Sequence, residues 1–234
     1  MSSSIDSVVV VTGASRGVGR ATALSLARDH GCHVLAIARD TGALQELADE
    51  HASIRPLALD LRDEGTASKV KEVVSGRRVL GLVHNAGMLH RRPMGAHSRL
   101  ELTELFALNV VAPLELTQAL VDELDGDPPG HVVHIGSMGG FQDSAKFPGL
   151  VAYSSSKAAM ACMAQCLAEE FKERGIRSNC LALGAVDTAM LREAFPGYTA
   201  PVDAARMGAY VARFLLEGHA LYNGKVLPVA LGTP

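Results

Sequence analysis

The stretch Ser7-Val8-Val9-Val10-Val11-Thr12-Gly13-Ala14-Ser15-Arg16-Gly17-Val18-Gly19 decides how the rest of the chain is read. Four consecutive valines carry no polar alternation, which marks a strand covered on both faces. Glycines at 13, 17 and 19 follow. A helical pattern then runs over residues 17–30, with Ala21, Leu24 and Ala27 on one face. A glycine turn between a buried strand and a helix lets backbone N–H groups approach a pyrophosphate at the helix N-terminus. The spacing, Gly-x-x-x-Gly-x-Gly, differs from the commoner Gly-x-Gly-x-x-Gly fingerprint. The plainer alternative is a glycine-rich turn with no ligand.

Working outward, apolar runs at 32–38, 54–60, 79–85, 131–137, 176–183 and 225–230 alternate with helical patterns at 41–51, 63–75, 100–124, 151–174 and 202–217. Asp63 suits a helix N-cap, Pro113 a boundary or kink, and Gly175 a C-cap. The alternation predicts an α/β fold: a doubly wound, Rossmann-like parallel sheet of about seven strands with helices on both faces. With 234 residues, 48% of them hydrophobic, the chain suits one domain spanning 1–234.

A net charge of -3 favours neither nucleic acid nor an anionic membrane surface. No apolar run approaches the ~18 residues of a membrane span. Residues 1–6 lack the basic and apolar regions of a signal peptide. Cys32, Cys162, Cys166 and Cys180 form no Cys-x-x-Cys pair or zinc spacing, so a reducing cytoplasm and no metal are expected. Cys162 and Cys166 share a helix face and read as small packing residues. His84 and His134, in apolar strand patterns, read as packed or hydrogen-bonded groups rather than metal ligands.

Tyr153-Ser154-Ser155-Ser156-Lys157 puts a phenol and an ammonium one helical turn apart on one face. A free Tyr has a pKa of about 10. A neighbouring cation favours the phenolate, and a Tyr so tuned can serve as a general acid or base. Tyr and Lys at this spacing also occur on ordinary helices.

Taken together, Thr12-Gly13-x-x-x-Gly17-x-Gly19, Asn85-Ala86-Gly87, Ser137 and Tyr153-x-x-x-Lys157 resemble the short-chain dehydrogenase/reductase family, classical type, from about Val8 to Thr188. The resemblance implies that Tyr153 is the acid/base and that Lys157 depresses its pKa and binds the nicotinamide ribose. It implies that Ser137 bonds the substrate oxygen and that Asn109 helps position a water beside the lysine. It further implies that Gly13, Ser15, Arg16, Gly17, Val18 and Gly19 cradle the cofactor phosphates. Asp60 and Leu61 would flank the adenine, and Asn85, Ala86 and Gly87 would stabilise the sheet beside the cofactor. Gly184, Val186 and Thr188 would meet the nicotinamide carboxamide. Asp60 equally suits a helix-capping or surface carboxylate, and Asn109 an ordinary polar helix residue.

Cofactor choice has a physical basis in the residues. An acid at the end of the second strand would bond ribose hydroxyls and repel a 2′-phosphate. Here that strand ends Ala38-Arg39-Asp40, and Arg16 adds a second cation, so NADP(H) is expected over NAD(H). Asp40 could partly neutralise Arg39.

Two places depart from the family pattern. Leu183 stands where the family has proline, which puts the path of the following loop in question. The chain ends Val229-Ala230-Leu231-Gly232-Thr233-Pro234 without Asp-Gly-Gly. Residues 188–201 form a short substrate-covering segment, with Met190, Leu191, Phe195 and Tyr198 as pocket residues. The helix with Ala158, Ala159, Cys162, Met163, Cys166 and Leu167 carries more apolar surface than a sheet needs, and the expectation is a homodimer or homotetramer. The leading expectation is a carbonyl reductase, reversible as an alcohol dehydrogenase, acting on a small-molecule carbonyl or alcohol. A 3-oxoacyl-thioester reductase is the second, and a non-catalytic NADP(H)-binding sensor the third.

Overall fold

In the computed structural model, which describes residues 7–231, the valine run becomes strand β1 (Ser7–Thr12), with Val8 to Val11 all buried. Val9 and Val11 face one apolar layer and Val8 and Val10 the other, so the strand is covered on both sides as its composition requires. The leader reading at 1–6 and the last three residues, Gly232-Thr233-Pro234, lie outside the described residues.

The chain continues through α1 (Gly17–Arg28), β2 (Val34–Ala38), α2 (Thr41–Asp49), β3 (Ile54–Ala58), α3 (Thr66–Val74) and β4 (Arg78–His84). Then come α4 (Arg99–Phe106), a π-helical turn (Ala107–Val111), α5 (Ala112–Ala119), α6 (Val121–Leu124) and β5 (His131–Ser137). The C-terminal part holds α7 (Val151–Glu170), β6 (Arg177–Leu183), β7 (Val186–Asp187), α8 (Ala189–Ala194), β8 (Val202–Asp203), α9 (Ala204–Glu217) and β9 (Val226–Val229). Seven strands form one parallel sheet in the order β3-β2-β1-β4-β5-β6-β9. The order reverses direction between β1 and β4, and a doubly wound sheet opens its ligand crevice at such a point, beyond the carboxyl ends of the strands.

Some boundaries differ from expectation. Asp63 is not the cap of α3: Gly65 takes that place, because residues 60–65 turn back on Asp60, whose carbonyl accepts from Asp63 N–H and from Thr66 Oγ1 at 2.9 Å. The irregularity near Pro113 is the π turn ahead of it. Pro113 itself follows the π turn within a helical stretch that continues unbroken into α5, where it has no N–H to give to the ladder. Gly175 ends the α7 region at φ 72°, as a C-cap should.

Candidate active site

Gly13 lies at φ 66°, and a Cβ there would sit 2.8 Å from Ala86 Cα and from Asn85 Nδ2. A Cβ on Gly19 would overlap the same amide and the Gly13 carbonyl. These glycines are small because Asn85 needs the space. Its Nδ2 donates to the carbonyls of Thr12 (3.0 Å) and Gly13 (3.2 Å). Thr12 Oγ1 accepts from the N–H groups of Asn85 and Ala86 and donates to Val83 O. The stitch ties the ends of β1 and β4 and holds the turn open. Arg16, the N-cap of α1, makes no side-chain cap. The first N–H groups of this twelve-residue helix therefore face the crevice without a side-chain acceptor, which fits a phosphate.

At the end of β2, Arg39 is 61% exposed, and among the described residues its one ion-pair contact is with Asp60, at 3.8 Å. Asp40 does not neutralise it: the Asp40 carboxylate caps α2 by accepting from Ala43 N–H at 3.0 Å. Arg16 is exposed, with no ion pair among the described residues. The Asp60 carboxylate is occupied by Arg62, which reaches it through its backbone N–H (3.0 Å), Nε (3.1 Å) and Nη2 (2.7 Å). The bond from Arg62 holds the carboxyl down to about 2, against the lesser opposing effect of burial. Little acceptor capacity remains on Asp60 for an adenine amine.

Ser137 ends β5, and Tyr153 and Lys157 project from the first two turns of α7. Ser137 Oγ accepts from Gly139 N–H at 3.1 Å, so its hydrogen is free to point into the cleft. It lies close enough to the Tyr153 phenol to favour the ionised form of that group. Lys157 is buried, 4% exposed, and its Nζ donates to Ile135 O at 2.8 Å. That Nζ lies 6.0 Å from the Tyr153 ring centroid. The pKa directions differ from the sequence expectation. Burial pushes the phenol up, with Ser137 only moderating it, while burial lowers the ammonium to about 8. Desolvation is the leading cause for both groups.

Asn109 lies in the π turn, fully buried. Its Nδ2 donates to Met88 O (3.0 Å) and Ser156 Oγ (2.9 Å), and its Oδ1 accepts from Met88 N–H (2.8 Å). Both amide hydrogens are committed to a clasp between the loop after β4 and α7. A water could therefore reach Asn109 only through its remaining acceptor lone pair or its main chain. Leu183 continues the ladder, paired with Ser137 and Val229, and Gly184 N–H donates to Val229 O. The loop after β6 is held by strand bonds where a proline would have offered no N–H.

One cleft of about 920 Å³ joins these groups. It takes in Gly13, Ser15, Arg16, Gly17, Val18, Arg39, Asp60, Leu61, Asn85, Ala86, Gly87, Ser137, Tyr153, Lys157, Gly184, Val186 and Thr188. Gly19 and Asn109 sit just behind its wall. Met190, Leu191 and Phe195 line it, as expected for a covering segment, whereas Tyr198 does not. Met138, Phe147 and Leu150 also line it, and the sequence offered no sign of them because they come from an irregular loop. Arg62 could have been suspected from its spacing to Asp60.

Cys162 and Cys166 are exposed rather than packed. Among the described residues no cluster of three His, Cys, Asp or Glu could hold a metal, and no helix is long and apolar enough to cross a membrane.

The short chain dehydrogenase family model matches residues 7–199. Protein FixR of Bradyrhizobium diazoefficiens is 33% identical, over 95% of this chain and 84% of its own. The uncharacterized oxidoreductase YciK of Escherichia coli is 34% identical, over 82% and 78%. Among solved structures, a candidate NAD(P)-dependent gluconate 5-dehydrogenase from Beutenbergia cavernae, with NADP bound at low occupancy, superposes with a TM-score of 0.82 at 32% identity, covering 97% of this chain and 96% of that one. On sequence and fold alike, this chain belongs to the short-chain dehydrogenase family of oxidoreductases.

Proposed function

We propose that the protein is an NADP(H)-dependent reductase of ketones or aldehydes, reversible as an alcohol dehydrogenase. The whole chain would act as one dinucleotide-binding domain, with 188–201 covering the substrate. The observation that carries this reading is the meeting of Ser137, Tyr153 and Lys157 in the same cleft as an uncapped helix N-terminus. The glycine turn, Ser15 and the α1 N–H groups would hold the pyrophosphate. Arg16 and Arg39, free of strong partners, would clamp a 2′-phosphate. NADPH held there would supply the hydride that the carbonyl carbon takes up, becoming NADP⁺.

The chain's own part is proton transfer and charge stabilisation. Ser137 donates to the carbonyl oxygen as negative charge develops there. Tyr153, a phenol already protonated near neutrality and pushed further that way by burial, delivers its proton to that oxygen. Lys157, fixed on Ile135 O, stabilises the phenolate that remains until it is reprotonated from solvent. The raised phenol suits the reductive direction, where a donor is required at the start.

The test is NADPH oxidation across carbonyl classes with Tyr153→Phe as control. Loss of a general acid should lower kcat by about 10²–10⁴-fold with NADPH affinity unchanged. Undiminished turnover in that variant would sink the mechanism.

A further inference from the structure

Resting on that reading, we infer that the substrate is an apolar carbonyl compound, best an aryl ketone or aldehyde, and not a sugar, polyol or charged keto acid. The polar groups lining the cleft divide into three sets. Ser15, Arg16, Arg39, Asp40 and Asp60 come from the β1–β3 half, on the dinucleotide side. Asn85 is spent on Thr12 and Gly13, Thr188 Oγ1 accepts from Leu191 N–H to cap α8, and Asp187 is paired with Arg192. Ser137, Tyr153 and Lys157 remain for the reacting carbonyl. Beyond them, the walls on the substrate side are Met138, Phe147, Leu150, Met190, Leu191 and Phe195.

A sugar placed there would bury several hydroxyls without partners. Each would weaken binding by about tenfold or more, since sites for hydroxylated substrates supply matching donors and acceptors. Among the described residues, the cations that line the cleft on that side are Lys157, which is bonded to Ile135 O, and Arg192, which is paired, so a carboxylate or phosphate would meet no free one.

The aromatic part of the wall is built in place. The Phe147 and Phe195 rings meet edge-on, with centroids 5.8 Å apart and planes at 78°. Behind Phe195, the Arg91 guanidinium lies 4.8 Å from the ring centroid and donates to Ala194 O at 2.8 Å. Phe195 thus has one supported side, and a flat apolar group against its neighbour would gain aromatic contact in the preferred geometry. The chemistry is that of the reductase: one hydride to the carbonyl carbon, one proton from Tyr153 to the oxygen, NADPH leaving as NADP⁺.

The experiment measures kcat/KM with NADPH for phenyl methyl ketone, cyclohexanone, a ketopentose, a 2-keto acid and an acetoacetyl thioester. NADPH affinity is followed separately by fluorescence. The expected result is at least a hundredfold preference for the aryl ketone over the ketopentose and the keto acid. Phe195→Ala should raise KM for the aryl ketone at least fivefold with kcat changed less, and Phe195→Leu should restore part of it. Unaltered NADPH affinity in both variants shows that they are folded. Tyr153-dependent turnover that favours the sugar, the keto acid or the thioester overturns the apolar assignment and leaves the reductase reading standing. NADPH binding with no carbonyl reduced, or turnover indifferent to Tyr153→Phe, overturns both.

Discussion

His131 and His134 lie on β5, and His84 lies beside His134 on β4, with those two rings 5.0 Å apart and all three buried. For His131 the bonds fix the neutral form. His131 Nδ1 donates to Leu215 O at 2.9 Å, leaving Nε2 to accept from Asn179. Burial holds His131 at about 4 and His134 at about 3, below the ordinary 6.5. Between pH 6.5 and those values the unfolded chain binds more protons than the folded one, so stability is present above 6.5 and is lost as pH falls. The loss for His131 alone amounts to about 3 kcal/mol when complete. Urea midpoints should therefore drop between pH 7 and 4, and His134→Asn should flatten that slope. A midpoint independent of pH would contradict the neutral cluster. Arg39→Ala should weaken NADPH about tenfold to a hundredfold, the worth of a charge-assisted bond, and leave NADH nearly unchanged in a binding titration. At this scale the sequence was most legible where one residue type has one use, as in the glycines around Asn85. It was least legible for pKa direction, because the desolvation of Tyr153 and Lys157 depends on packing that spacing does not reveal.

Among the elements, the strands of the seven-stranded sheet were readable to within about two residues, since β1, β5 and β6 are buried along nearly their whole length, whereas the short β7 and β8 were not read. The π turn in Ala107–Val111 was not, because it answers to the Asn109 clasp on Met88 and Ser156, a contact between distant segments. The same holds for α8. Its cap at Thr188 is local, but its position over the cleft depends on Arg91 from the loop after β4. Arg91→Ala should free that helix and raise KM by roughly three- to tenfold with kcat little changed. Arg91→Lys should rescue poorly, because an ammonium cannot both lie flat on Phe195 and donate sideways to Ala194 O. An unchanged KM in steady-state kinetics would remove Arg91 from the positioning of α8.

For the whole molecule, the surface next to the cleft-bearing helices is unusually apolar. Leu100, Val111, Leu114 and Val151 are 68%, 48%, 45% and 56% exposed, and Cys162 and Cys166 lie further along α7. The family commonly oligomerises, and we expect this face to be the seam. Light scattering should give two or four times the 24.6 kDa chain mass, and Val151→Lys should shift it downward. A monomer in the unaltered protein would refute the seam. The polypeptide leaves the sheet after β6 and returns for α9 through a two-rung ladder, Val186 against Val202 and Asp187 against Asp203. The segment between those rungs starts and finishes at nearly one point. It is therefore a cassette: its sequence can drift, or be exchanged between relatives, without disturbing the register of the seven-stranded sheet. Substrate range can diversify in evolution there while the dinucleotide machinery is inherited intact.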